Sequence, residues 1–372
     1  MPAGIYIHVP FCRSRCSYCD FATDVYRDSA AVERYVEALC REIGAFETVE
    51  SEADTLYFGG GTPSLLTSRQ LQRLIEMVRS KFSLSAHSEI TLEMNPATVT
   101  ADSLDGYRSL GVNRASFGVQ TFNDRHLKLL ARGHDADDAR NTYRMLRSAG
   151  YENISLDLIA GLPGQSFADW ERNLDEALGL APEHLSLYLL EIHEGTPLAE
   201  QVRSGRRPVP DPELAADMYE HMIDKLAAAG YEQYEISNFA KPGFASKHNS
   251  KYWTLDPVYG FGVSAHSFDG KMRYANERDT ASYVRMISAG ENAESMRETV
   301  DVASEFVFLG LRLTRGISLA GYSDRFGSEL IGKFAAGISE LENDQLISLQ
   351  EGQMQLTRKG MLYSNQVFAE FV

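Results

Sequence analysis

The stretch Cys12-Arg-Ser-Arg-Cys16-Ser-Tyr-Cys19-Asp-Phe21 stands just after the β-branched run Ile5–Val9. Three of the chain's four cysteines lie within eight residues, and the run closes on Asp20-Phe21 without a fourth. A cubane 4Fe–4S cluster takes one thiolate per iron, so three cysteines leave one iron open to a substrate or cofactor. Soft sulfur ligands suit iron–sulfur or zinc rather than magnesium or calcium. Zinc is the competing reading, with His8 or Cys40 as fourth ligand. His8 lies on a strand four residues ahead of Cys12, a spacing foreign to the usual zinc fingers. Cys40 falls in a helical stretch, where a buried, inert thiol is the plainer reading.

Working outward, the run Ile5–Val9 is the first of six strand candidates. The others are Thr55–Phe58, Ile90–Met94, Arg114–Val119, Asn153–Ile159 and His184–Leu190. Helix-period segments alternate with them. In AAVERYVEALCREIGAF, residues Val32, Tyr35, Val36, Leu39 and Ile43 share one face, and SRQLQRLIEMVRSKF follows the second strand. Strand–helix alternation implies a parallel sheet. Six units rather than eight predict an α/β fold built on a partial (β/α)6 barrel over residues 1–210. The Pro-rich join GRRPVPDPE breaks the alternation. An extension with a helix at about 213–229 and an aromatic-rich stretch is expected over 211–300. Residues 301–372 read as a smaller α+β, winged-helix-like module with a hairpin in LISLQEGQMQLT. That module carries nine acidic against six basic residues, which argues against DNA binding.

The composition agrees. At 372 residues and 44% hydrophobic, the chain can bury a large core in two or three units. A net charge of −16 disfavours general nucleic-acid binding. No run approaches the ~18 apolar residues of a membrane span. The start MPAGIYIHVPFC lacks the pattern of a signal peptide. A cytoplasmic protein is therefore expected, where clustered thiols bind metal or do redox work rather than form disulfides.

Other polar features fall at strand ends. The second strand runs into Gly59-Gly60-Gly61-Thr62-Pro63, whose glycines allow close approach to a ligand and leave N–H groups free. The Lys-Ser/Thr ending of a phosphate loop is absent. Glu93, Gln120 and Asp157 sit near the ends of three otherwise apolar strands, and GLPGQ makes a further turn after Asp157. Barrel enzymes place reactive groups at the carboxyl ends of strands, and an unpartnered buried carboxylate is costly. Each alone could be a structural hydrogen bond; three in consecutive strands point to a site.

The spacing C-x3-C-x2-C after a first strand resembles the radical S-adenosylmethionine (SAM) superfamily. The segments IYIHVPFCRSRCSYCDF, LYFGGGTPSLL, LEMNP, RASFGVQTFNDRHLKLLARGH and LDLIAGLPGQ are similar to its HemN/HemW branch, which holds oxygen-independent coproporphyrinogen III oxidases and haem chaperones. The resemblance covers essentially the whole chain. It implies a 4Fe–4S cluster on Cys12, Cys16 and Cys19, with the fourth iron chelating SAM, whose cleavage releases a deoxyadenosyl radical. It also implies SAM contacts at Tyr6, Tyr18, Gly60, Gly61, Thr62, Glu93, Gln120, Arg132 and Asp157. From the residues alone, Tyr6 and Tyr18 could be core aromatics and Arg132 a surface cation.

Three features separate the two arms of that branch. The oxidase pattern has another cysteine where Phe21 stands. It also carries several dozen residues ahead of its cluster motif, against eleven before Cys12 here. HNSKYW, from His248 to Trp253, matches a signature of the chaperone arm. The resemblance therefore implies a haem chaperone that binds haem as cargo and passes it to apo-haemoproteins such as respiratory enzymes. It would be membrane-peripheral through those recipients, retain a SAM site fed by an electron donor, and have no nucleic-acid partner. The alternative is oxidative decarboxylation of coproporphyrinogen III to protoporphyrinogen IX. For haem, His248 is an expected axial ligand, with Tyr252 and Trp253 packing on the macrocycle. The bland reading makes the same motif an interdomain core element.

Overall fold

The computed structural model describes residues 2–47 and 52–372. Its main sheet has twelve strands: β1 (Ala3–Val9), β2 (Glu52–Gly60), β3 (Ser83–Met94), β4 (Arg114–Gln120), β5 (Ile154–Ala160), β6 (His184–Leu189), β7 (Glu232–Glu235), β8 (Asn238–Ala240), β9 (Val258–Phe261), β10 (His266–Phe268), β11 (Met272–Asn276) and β12 (Glu294–Thr299). The order is β12-β11-β10-β9-β1-β2-β3-β4-β5-β6-β8-β7, an open sheet. All six expected strands form, in parallel register. A seventh parallel strand, β9, pairs with the free edge of β1, and antiparallel strands flank the seven on both sides. Six strands from the stretch 211–300 thus belong to the same sheet as the barrel.

Alternation along the strands sorts the two faces. Ile5, Ile7, Leu56, Phe58, Leu92, Ala115, Phe117, Leu156, Leu185 and Leu187 are buried beneath the helices. The opposite face carries Tyr6, His8, Tyr57, Glu93, Arg114, Ser116, Asp157 and Ser186. Register places Tyr6 beside Tyr57, and Asp157 beside both Gly118 and Ser186. Parallel sheets are covered on both faces, and this second face is a polar lumen, partly open to solvent at Tyr6, Glu93 and Asp157.

The outer helices start where side chains cap them. Thr67, Thr100, Asp135 and Ser166 each accept from the backbone N–H three residues on, and the residue there bonds back. These reciprocal caps satisfy otherwise orphaned donors. In the helix Ser29–Ala45 the expected face of Val32, Tyr35, Val36, Leu39 and Ile43 is buried. From the same helix, Glu42 accepts from the Gly262 N–H (2.8 Å), Asn276 (2.5 Å) and the Tyr283 hydroxyl (2.6 Å), fastening the β9 side to the barrel. GRRPVPDPE leads into the helix Pro212–Ala228, capped by Asp211.

Residues 302–369 give helix, short strand, helices and hairpin, the order of a winged helix; Ile317–Ser318 pairs with Gln353–Leu356, which pairs with Ile347–Gln350. Arg312 anchors this module. Its guanidinium lies 4.3 Å over the Trp253 ring and 3.5 Å from the fully buried Glu235 carboxylate. Removing one partner strands the other charge, at a cost of roughly 3 kcal/mol. Arg312→Met should therefore lower the urea midpoint, and Glu235→Gln added to it should recover most of the loss; an unchanged midpoint in Arg312→Met would remove the anchor role.

Candidate functional site

The loop after β1 carries the thiols. Phe11–Cys12 pairs with Asp24–Val25 in a two-residue parallel ladder, which folds the loop back on its own start. Within it, the Cys19 N–H donates to the Cys16 carbonyl (3.3 Å). The Thr62 hydroxyl points at Cys12 Sγ (3.5 Å), and Arg132 Nη1 at Cys16 Sγ (3.4 Å). Asn95 joins these two supports: it donates to the Thr62 hydroxyl (2.7 Å) and accepts from Arg132 Nη2 (2.7 Å). Arg132 also donates to the Gly118 carbonyl (2.7 Å), and its buried Nε has no partner.

The three-glycine turn is shaped by close approach. Gly60 has φ +112°, and a Cβ there would fall 2.7 Å from the His8 ring; one on Gly61 would fall 2.6 Å from the Pro10 carbonyl oxygen. This packing turns the Gly60 N–H onto Glu93 Oε2 (3.1 Å), while the Tyr57 hydroxyl donates to Oε1 (2.6 Å). Burial, outweighing both bonds, pushes the Glu93 carboxyl up to about 7. Asp157 rises to about 6 for the same reason, despite the Ser186 hydroxyl and the charges of Arg114 and Arg132. Gln120, with φ +66°, ends β4 at a bulge after Gly118. Tyr18 packs with Leu129, Leu130, Ile159 and Leu198 beside the loop, next to Arg132. His8 Nε2 donates to the Ala22 carbonyl (2.9 Å), so Nδ1 of the neutral ring accepts from the Tyr6 hydroxyl (3.0 Å). Of the nine residues expected to face SAM, Gly60, Gly61, Thr62, Glu93, Gln120 and Arg132 lie at or beyond the carboxyl ends of the strands, Tyr18 is in the cysteine loop, and Tyr6 and Asp157 lie mid-strand in the lumen.

His248, Tyr252 and Trp253 lie elsewhere. Their helix, Lys247–Thr254, meets the amino-terminal ends of the strands and closes the lumen floor. Glu89, on β3, accepts from the N–H groups of Lys247 (3.2 Å) and His248 (3.1 Å). Lys251 pairs with Asp54 (2.7 Å) and donates to the Pro2 carbonyl (2.7 Å). His248 is buried, with Nδ1 on the Thr55 hydroxyl (2.8 Å) and Nε2 on the Tyr252 hydroxyl (3.0 Å). Burial pulls its pKa down to about 3. Both ring nitrogens are thus engaged by hydroxyls in this structure. Trp253 lies under Arg312.

Three contributors escaped the sequence reading. Asn95 and Tyr57 lie inside quoted segments without being singled out, and His8 was weighed only as a zinc ligand. Both His8 nitrogens are engaged, and Cys40 sits half-buried on the helix Ser29–Ala45 near Arg73 and Glu33, so neither completes a zinc site. Among the described residues, no three His, Cys, Asp or Glu side chains gather around a single-ion position. Thiols that bind three different irons need no such convergence. Three thiols beside an orphaned guanidinium donor and a glycine cradle fit a cluster carrying a polar cofactor.

A thiol loop at the mouth of an open parallel barrel defines a radical SAM protein. A family model of the radical SAM superfamily matches residues 6–177, and one of the HemN C-terminal domain matches 300–363. Heme chaperone HemW of Bacillus subtilis (strain 168) is 38% identical, over 99% of this chain and 98% of that one. Heme chaperone HemW of Lactococcus lactis subsp. lactis is 35% identical, over 100% and 97%. Coproporphyrinogen III oxidase (HemN) from Escherichia coli, a radical SAM enzyme, superposes with a TM-score of 0.87 at 26% identity, over 100% of this chain and 90% of that one. The chain belongs to the HemN/HemW branch of the radical SAM superfamily and is similar to HemW from end to end. The superfamily's cofactors are a 4Fe–4S cluster and SAM. No helix among the described residues is long and apolar enough to cross a membrane.

Asn95 offers a direct test of the support network. Asn95→Ala leaves the Arg132 guanidinium and the Thr62 hydroxyl each one partner short, which costs about 1–3 kcal/mol in a part-buried setting. Its urea midpoint should fall, and amides of residues 12–26 should exchange faster in deuterium exchange. Wild-type exchange in that loop would detach Asn95 from it.

Proposed function

We propose that this protein binds haem and hands it to apo-haemoproteins such as respiratory enzymes, working in the cytoplasm with a cluster and SAM at the barrel mouth. The observation that carries this reading is the end-to-end likeness to proteins named heme chaperone HemW. Phe21 adds to it: the side chain, 68% exposed on the rim, stands where the oxidase pattern has a cysteine. The close superposition on HemN keeps coproporphyrinogen III oxidation as the second reading.

Cys12, Cys16 and Cys19 would hold the cluster, leaving Cys40 out. Tyr6, Tyr18, Gly60, Gly61, Thr62, Glu93, Gln120, Arg132 and Asp157 would hold SAM. When bound, the reduced cluster supplies an electron to SAM. The protein's own part is electrostatic. Glu93 and Asp157 are the carboxylates facing a ligand that carries a sulfonium and an ammonium, and Arg132 is the cation available to its carboxylate. Burial of the thiols of Cys12 and Cys19 pushes them up, so loading iron releases protons. We place no haem contact on His248, because its nitrogens serve Thr55 and Tyr252.

Two assays separate the readings. Under anaerobic, reducing conditions the protein should bind haem with a Soret shift and pass it to an apo-haemoprotein, while coproporphyrinogen III with SAM and reductant stays unconsumed. Turnover of the porphyrinogen without haem binding would reverse the choice. His248→Ala should keep the Soret shift; its loss would return the iron to that side chain. Alanine at Cys12, Cys16 or Cys19 should remove the iron–sulfur absorbance, and Cys40→Ala should leave it.

The raised carboxyls also set a pH dependence. An acid whose pKa is raised to about 7 is neutral below that pH, so the negative charge facing SAM disappears as pH falls through 7. SAM affinity measured by equilibrium dialysis should be roughly tenfold weaker at pH 6 than at pH 8. Glu93→Gln should flatten that dependence; a profile equally steep in the variant would assign it to another group.

A further inference from the structure

The helix Lys247–Thr254 is held more tightly than filling a barrel floor requires. Ser246 caps it, Glu89 takes two of its first N–H groups, and Lys251 is tied to Asp54 and Pro2. Gly4 makes room for it: a Cβ there would fall 3.0 Å from Lys251 Cδ and 3.2 Å from His248 Cε1. The side chain at the centre of this arrangement, His248, is fixed at both nitrogens and neutral at ordinary pH. Its ring then stacks on Tyr57, with centroids 4.9 Å apart and planes 25° from parallel, and more loosely on Tyr6 at 6.3 Å. The Tyr57 hydroxyl makes the 2.6 Å bond to Glu93, and Tyr6 reaches His8, which holds the Ala22 carbonyl of the cysteine loop. A continuous path of fixed groups therefore runs from the floor to the mouth.

We propose that His248 is a positioning residue for the mouth: held by Thr55 and Tyr252, it fixes the Tyr57 ring so that the Tyr57 hydroxyl meets the Glu93 carboxylate. The HNSKYW segment then serves the SAM-side carboxylate from below. The purpose assigned to the device rests on reading Glu93 as facing SAM; its geometry does not. A purely structural plug would stabilise the fold without altering how Glu93 titrates, which gives the distinguishing readout.

The sign follows from the donor. A hydroxyl donating to a carboxylate favours the charged form, so losing it moves the Glu93 midpoint upward. Other groups facing that carboxyl are the Gly60 N–H, Asp157 from β5, Arg114 from β4, Tyr6 from β1, Tyr188 from β6, and Tyr252 from the floor helix. None of them is substituted below; His248→Ala also frees the Tyr252 hydroxyl and uncovers the Tyr6 ring, whereas Thr55→Val leaves both contacts in place.

The full-length protein, without SAM, is titrated by infrared absorbance, and the Glu93 band is identified by subtracting Glu93→Gln. Tyr57→Phe should raise the midpoint. His248→Ala should raise it by about half to one pH unit, and the double variant should rise no further than Tyr57→Phe alone. Thr55→Val, a milder change that frees one His248 nitrogen at nearly constant volume, should give a smaller shift of the same sign and decides the matter if His248→Ala does not fold. Wild-type midpoints in His248→Ala and Thr55→Val, or full additivity in the double variant, would overturn the proposal. SAM affinity measured on the same proteins separates the two layers: a shifted midpoint with unchanged SAM binding keeps the positioning role and refutes the SAM reading of Glu93.

Discussion

A strand covered on both faces gives its polar side chains little access to water, so polar groups on the inner face find partners inside the lumen or stay unpaired, as Arg114 Nε and Nη1 do. The rest of this structure depends on that constraint. Leucine, isoleucine and phenylalanine take the outer face and bind the helices, which leaves the inner positions to tyrosine, histidine, serine, arginine and three acids. The partners are then found across strands: Tyr57 for Glu93, Ser186 for Asp157, Tyr234 for His184, and the floor helix for Glu89.

The same constraint makes the mouth responsive. Glu93 sits one residue from the end of β3 and Asp157 at the middle of β5, partnered well enough to be held but not enough to keep their ordinary acidity. Carboxyls poised near neutrality would turn the charge of a cationic ligand placed opposite them into binding energy. On the thiol side, one guanidinium links β4, Asn95 and Cys16, so the cysteine loop is braced by the same strand ends that carry the carboxylates. The cysteine loop and the inward carboxylates are therefore parts of one network.

Much of this was legible in the sequence, for physical reasons. Strands β1 to β6 and the face of the helix Ser29–Ala45 carry periodicities that only one packing satisfies. The thiol spacing, the glycine turn and the inward acids each name their chemistry by residue type. Strand β9 was not legible: four residues with a glycine, in VYGF, give no period, and its place beside β1 is fixed by Glu42 from a distant helix. The surroundings of His248 were not legible either, because its Nδ1 partner, Thr55, lies 193 residues away. Asn95 and Tyr57 were passed over since a short polar residue after a strand, or a tyrosine within one, has no signal of its own.

The central claim is that three cysteines hold a cluster whose fourth iron is open to SAM within this mouth. Electron paramagnetic resonance of the anaerobically reconstituted, reduced protein tests it most directly. The account predicts a reduced 4Fe–4S signal that changes on adding SAM, because SAM joins the open iron. A signal indifferent to SAM, or none after full iron and sulfide loading, would contradict it.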